Sequence, residues 1–300
     1  MKTGKWKLIL GLIVVAGFAG PGQNAVAGSP AEESDVRFRL VHDTIIIVST
    51  TANGQGPFDF VLDTGTNTTV VDTELARRLS LASVDRIELT TVAGSRTLER
   101  SSMPSLSLGA VRLTNVEALI EDLDGFRKLD SRIQGVVGQN FFSHFNYFID
   151  FRRRTIRFEQ TTEIRDAIAG ERVPIDQADD RMMLSSTIQS RWRAQVHLVL
   201  DSGANLMVLF QKSAGLPDAE PAQGLMDLHA DGSKIQTRTG RIRELTVGST
   251  LLRNLAVALP PAAAGDNERT VDGLLPMALF HTLYVNNREA FIVFNPRVSE

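Results

Sequence analysis

The sequence predicts an all-β protein of two similar lobes, and three features carry that expectation. A ten-residue segment recurs at an offset of 138 residues. Short runs rich in Val, Ile, Thr and Phe are punctuated by Gly and Asn. The chain has 300 residues, of which 43% are hydrophobic and 22% charged, which is enough apolar material for two small cores.

The recurring segment is Phe58-Asp59-Phe60-Val61-Leu62-Asp63-Thr64-Gly65-Thr66-Asn67, matched by Val196-His197-Leu198-Val199-Leu200-Asp201-Ser202-Gly203-Ala204-Asn205. The same offset relates Ala93-Gly94-Ser95 to Asp231-Gly232-Ser233 and Gly135-Val136-Val137-Gly138 to Gly273-Leu274-Leu275-Pro276. Between them, Leu106-Ser107-Leu108-Gly109 answers Leu245-Thr246-Val247-Gly248 and Asn115-Val116 answers Asn254-Leu255, shifted by one residue. A period this long is too great for a solenoid and suits two copies of one small domain. The expected organisation is a leader over 1–27, a first lobe over 35–160, a connector over 161–178 and a second lobe over 179–300.

Within the lobes, Thr44 to Val48, Phe58 to Leu62, Thr69 to Val71, Arg86 to Val92 and Val111 to Ile120 read as strands. Thr73 to Leu79 and Asn140 to Phe145 read as short helices, and the connector is helix-compatible from Glu163 to Ala169. Many short strands with turn signals imply a β-barrel or sandwich in each lobe.

The N-terminus places Lys2, Lys5 and Lys7 ahead of an apolar run from Leu8 to Ala19, then Pro21-Gly22 and the small tripeptide Ala25-Val26-Ala27. That pattern is a secretory signal with cleavage expected after Ala27, since about 12 apolar residues fall short of the roughly 20 that span a bilayer. The remaining chain carries 29 basic against 35 acidic residues, a net charge of −6, which disfavours a nucleic-acid partner. No stable membrane anchor is expected, and the location implied is the periplasm. The chain has no cysteine, which excludes thiolate catalysis and Cys-based zinc sites. The histidines at 42, 144, 197, 229 and 281 have no ligand spacing, so no metal and no organic cofactor is expected. Arg152-Arg153-Arg154 reads as a solvated hairpin tip.

A buried apolar strand running into Asp-Thr/Ser-Gly presents a carboxylate at a strand end, with Gly65 and Gly203 letting the backbone turn sharply where a Cβ would clash. One such tripeptide arises by accident in roughly one chain of this length in ten. Two copies at equivalent places of a repeated domain are different, because a pseudo-twofold axis would bring both loops together. Two carboxyls held about 3 Å apart cannot both ionise, so the pair shares a proton. One acid and one base side by side can activate water against a carbonyl carbon.

On these residues the chain resembles the aspartic peptidase superfamily, in its retroviral-type and pepsin-like forms. The resemblance rests on Leu62-Asp63-Thr64-Gly65-Thr66, Leu200-Asp201-Ser202-Gly203-Ala204 and the closing element Val136-Val137-Gly138, and Gly135 to Phe141 with Phe148 to Arg153 looks closest to bacterial retropepsin-like sequences. It implies a bilobal acid-protease fold with the active site between two homologous β-barrel-like lobes, and Asp63 and Asp201 as the catalytic pair. It further implies that Thr64 and Ser202 interlock the loops, that Thr66 bonds the outer oxygen of Asp63, and that the turns at Ala93, Gly94 and Ser95 and at Asp231 and Gly232 are flaps. The flap turns lack the tyrosine of pepsin-like enzymes.

Three departures bear on function. Pro276 stands where Gly138 stands, Ala278 where Asn140 stands, and Ala204 lacks the hydroxyl of Thr66. The expected activity is an endopeptidase, working as a monomer on extended polypeptide. The alternative is a peptide-binding module that kept the fold and lost turnover. A glycosidase is disfavoured, since its carboxyls must stand at least about 5 Å apart.

Overall fold

The computed structural model describes residues 35–91, 94–159, 163–177, 181–190, 193–210, 225–228, 234–261 and 271–298, together with the short segments 8–9 and 24–27. The leader falls outside the described residues apart from those two segments. Among the described residues, no helix is long and apolar enough to cross a membrane.

The run Ile45-Ile46-Ile47-Val48 explains how the first lobe is layered. It lies in the strand Ile45–Ala52 and all four side chains are buried. Side chains alternate between the two faces of a strand. Accordingly Ile46 and Val48 enter one core cluster while Ile45 and Ile47 enter another, packed with Val61, Val70, Leu119 and Phe126. A strand covered on both sides reads as an unbroken apolar run. The second lobe repeats the division, with Leu198 and Leu200 on one side and Val199 on the other. One cluster continues through both lobes, from Ile46 and Leu62 to Leu200 and Leu275.

The strand pairings of the two lobes correspond. Ile45–Ala52 pairs antiparallel with Gln55–Leu62, as Met183–Gln189 does with Arg193–Asp201. Ile133–Val137 lies parallel to Gln55–Leu62 and antiparallel to Thr69–Asp72. Gly273–Pro276 does the same between Arg193–Asp201 and Met207–Leu209. Thr69–Asp72 lies parallel to Val111–Glu121, and Met207–Leu209 to Thr250–Leu259. The matched asparagines share a left-handed backbone, with φ of 55° at Asn115 and 53° at Asn254, a conformation Asn tolerates better than most residues.

A central sheet joins the lobes. Among the described residues it is part of a 14-stranded sheet, and across the junction its order is Val173–Pro174, Phe291–Phe294, Thr282–Asn286, Tyr147–Asp150, Thr155–Phe158 and Val36–Val41, from which it continues into the first lobe through Ile45–Ala52. The seam is the antiparallel pair Tyr147–Asp150 with Thr282–Asn286, in which Tyr147 faces Val285 and Ile149 faces Leu283. Val173–Pro174, inside the expected connector, forms an outer strand of this sheet against Phe291 and Ile292.

Helices form at Thr73–Arg78 and Gln139–Phe142, close to the expected spans. The first is capped by Asp72, whose carboxylate accepts the Glu74 N–H at 3.0 Å. Two details differ from the sequence reading. A further helix spans Asp124–Arg127, and the helix Glu163–Ala167 gives way to a short strand, Ile168–Ala169, that pairs with Arg297–Val298. The Ser-rich stretch at 101–107 lies in a 15-residue strand, Gly94–Leu108, because it pairs with Val111–Glu121 on one side and, at Leu106 and Ser107, with Ala52 and Thr51 on the other.

Ile149 is fully buried at the seam. Ile149→Ala is expected to cost about 2–5 kcal/mol in urea unfolding. Arg153→Ala, at the exposed hairpin tip where 79% of the side chain is accessible, is expected to change stability by less than about 0.5 kcal/mol.

Candidate active site

Each Asp arrives at the end of a strand buried on both faces. Asp63 follows Gln55–Leu62, and its N–H donates to the Val137 carbonyl of the parallel neighbour at 3.0 Å. Asp201 ends Arg193–Asp201, facing Pro276 in the register of the parallel strand Gly273–Pro276. Both aspartates have no exposed surface.

The two loops are bound by a reciprocal set of hydrogen bonds. The Thr64 hydroxyl donates to the Leu200 carbonyl at 2.7 Å and accepts the Ser202 N–H at 3.1 Å. The Ser202 hydroxyl donates to the Leu62 carbonyl at 2.9 Å and accepts the Thr64 N–H at 3.0 Å. Each loop therefore satisfies buried backbone groups of the other lobe. Such groups would cost about 1–3 kcal/mol each if left unpaired.

The glycines are explained by the opposite lobe. A Cβ on Gly65 would lie 2.5 Å from the Asp201 carboxyl carbon, and one on Gly203 would lie 2.5 Å from that of Asp63. Close approach of the partner carboxyl excludes any side chain there. The clash expected of a Cβ at these positions is thus with the opposite carboxyl, and neither residue has the positive φ that only glycine readily adopts. The freed space leaves the N–H groups facing the dyad. Gly65 N–H donates to Asp63 Oδ1 at 2.9 Å and Gly203 N–H to Asp201 Oδ1 at 2.7 Å.

Burial pushes the Asp201 carboxyl up, to about 6, against hydrogen bonds from the Gly203 N–H, the Asp63 side chain and the Ala204 and Gly65 N–H groups, which pull it down. Ion-paired carboxylates behave in the opposite way. The Arg132 guanidinium beside Asp130 holds that carboxyl well below the usual range. Arg100 likewise lowers Asp85, 2.5 Å away. Arg132, the partner of Asp130, helps line a groove of about 1020 Å³ on the first lobe, together with Asp59, Asp72, Arg77 and Arg127 among others. That groove contains neither Asp63 nor Asp201, and within it Asp72 pairs with Arg127 and Asp59 with Arg132.

The structure thus brings together Asp63, Thr64, Gly65, Asp201, Ser202, Gly203 and Ala204. The Thr66 hydroxyl goes elsewhere than expected, donating to the Thr68 carbonyl at 3.2 Å. Of the flap residues, Gly94 closes a hairpin by pairing with Thr91, and Ser95 pairs with Thr90. Ala93, Asp231 and Gly232 lie outside the described residues. In the second lobe the matching hairpin pairs Leu225–Leu228 with Lys234 to Thr237. The sequence reading gave no role to Thr69, whose hydroxyl accepts the Gly138 N–H at 3.3 Å behind the Asp63 loop. A Thr at 69 against Met at 207 in the repeat was the available signal.

Residues 48–141, within the first lobe, match the family described as aspartyl protease. Among solved structures, the chain is similar to a retropepsin-like aspartic protease from Rickettsia conorii, at 12% identity and a TM-score of 0.30, over 44% of this chain and 94% of that one. No curated protein matches the chain. The resemblance to the aspartic peptidase superfamily read from the motifs holds over residues 48–141.

Thr64→Val would orphan the Leu200 carbonyl and the Ser202 N–H together. It is expected to destabilise the protein by roughly 2–5 kcal/mol in chemical denaturation. Thr64→Ser, which keeps the hydroxyl, is expected to lose less than half of that.

Proposed function

We propose that the chain is an aspartic endopeptidase in which Asp63 and Asp201 share one proton and activate a water molecule against a peptide bond. One observation carries this reading: two fully buried carboxyls, each delivered by a different lobe, face each other across glycines that would otherwise collide with them. Two carboxyls in contact without solvent cannot both ionise. The ionised partner takes a proton from water, whose oxygen attacks the carbonyl carbon, while the protonated partner donates to the carbonyl oxygen. The backbone N–H groups of Gly65 and Gly203 hold the carboxylates in place while the proton moves.

An extended polypeptide is the substrate this geometry suits, lying across the seam of the lobes beneath the hairpins that carry Gly94 and Lys234. Both aspartates come from one chain, so the working unit is a monomer. The leader 1–27 directs export, with the mature enzyme acting in the periplasm. A peptide-binding module without turnover is the second reading, favoured by the second lobe, where Pro276 and Ala278 replace Gly138 and Asn140.

Incubation of the mature protein with a peptide library from acid to neutral pH separates the two. The peptidase reading expects cleavage, and a fall of about 10²–10⁴-fold in kcat/KM for both Asp63→Asn and Asp201→Asn. Capture of peptides without cutting supports the module, and loss of activity in only one variant contradicts a shared dyad.

The pH dependence follows from the raised carboxyl. The folded protein holds this proton more tightly than the unfolded chain, so the group's stabilising contribution is complete below 3.8 and fades as pH rises through about 6. The general acid disappears over the same interval. The kcat/KM profile is expected to fall on its alkaline side near pH 6, and a profile flat to pH 8 contradicts the assignment.

A further inference from the structure

Behind the Asp63 loop, Asn140 ties three segments of the first lobe together. Its Oδ1 accepts both the Thr69 N–H at 2.9 Å and the Thr69 hydroxyl at 2.8 Å. Its Nδ2 donates to the Glu117 carbonyl at 2.8 Å. Its own N–H donates to the Asn67 carbonyl at 3.0 Å, and that of Gln139 to the Thr66 carbonyl at 2.8 Å. Glu117 belongs to Val111–Glu121, where it pairs with Ser102 of the long hairpin strand Gly94–Leu108. One side chain therefore connects the loop that follows Asp63 to the strand that supports the hairpin.

Among the described residues, the second lobe shows no matching side-chain connection. At the matched positions, Met207 replaces Thr69, Pro276 replaces Gly138 and Ala278 replaces Asn140. Met207 offers no hydroxyl, Pro276 has no N–H to donate, and Ala278 has no amide. Removing one partner of a buried hydrogen bond leaves the other unsatisfied, whereas removing both can be nearly neutral. Met207 and Pro276 together remove the counterparts of both the Thr69 hydroxyl and the Gly138 N–H, so that bond is lost without an orphaned partner, and Met207 packs into the common core instead.

We propose that Asn140 is a positioning residue for the Asp63 half of the dyad, holding its loop against Val111–Glu121 through hydrogen bonds, whereas apolar packing around Met207 and Pro276 holds the Asp201 loop. The two carboxyls are equivalent in chemistry and different in support. The kinetic part of this proposal rests on the peptidase reading, and its structural part does not.

Amide hydrogen exchange and steady-state kinetics of Asn140→Ala and Asn140→Asp test it. Asn140→Ala removes all three side-chain bonds, and Asn140→Asp keeps the acceptor for Thr69 while losing the donor to Glu117. Asn140→Ala is expected to speed exchange at the Thr69 amide by about tenfold or more, with residues 201–210 unchanged. It is expected to lower kcat by about tenfold with KM altered less than about threefold, because the misplaced group acts in the chemical step. Asn140→Asp is expected to restore most of the Thr69 protection. Unchanged exchange at Thr69, an equal rise in both loops, or a KM effect at constant kcat would each overturn the proposal. If the wild type cuts no peptide, the peptidase reading fails, and the exchange pattern alone decides the positioning role.

Discussion

Everything at the centre of this molecule depends on the exchange of hydrogen bonds between Thr64 and Ser202. Each hydroxyl donates to a carbonyl and accepts an N–H of the other loop, in a place without solvent. Neither loop can satisfy its own backbone in isolation, so each lobe is completed by the other. The pairing also fixes where the aspartates stand, because Asp63 and Asp201 immediately precede the interlocked residues. The continuous core and the seam between Tyr147–Asp150 and Thr282–Asn286 serve the same constraint from below.

The electrostatics follow from that placement. Elsewhere in the described residues, carboxylates such as Asp85 and Asp130 meet arginines and are stabilised as anions. At the loop junction, burial dominates and the Asp201 carboxyl is held toward its neutral form. A site that retains a proton beside a potential base differs in kind from a surface ion pair. The glycines make this possible by leaving room for the opposite carboxyl and aiming N–H groups at it.

Much of the fold was legible because its determinants are local. Ile45 to Val48 reads as a strand covered on both faces, and the matched asparagines at 115 and 254 mark the same left-handed position within corresponding strands. The 138-residue offset located both aspartates. What escaped depends on long-range contact. The need for glycine at 65 and 203 is set by a carboxyl from the other lobe, which local turn chemistry does not contain. The outer strand Val173–Pro174 is only two residues long, and it is a strand because Phe291 and Ile292 stand beside it. Pro276 read as a defect in isolation. Beside Met207 and Ala278 it is one member of a consistent apolar replacement.

The shared proton is the central claim, and a site-resolved carboxyl-carbon NMR titration of Asp63 and Asp201 tests it most directly. A dyad holding one proton is expected to give two steps more than about 1 pH unit apart, each seen at both carbons. The upper step should vanish when either residue is replaced by Asn. Two independent titrations near the ordinary 3.8, each unaffected by substitution of the other, would contradict it.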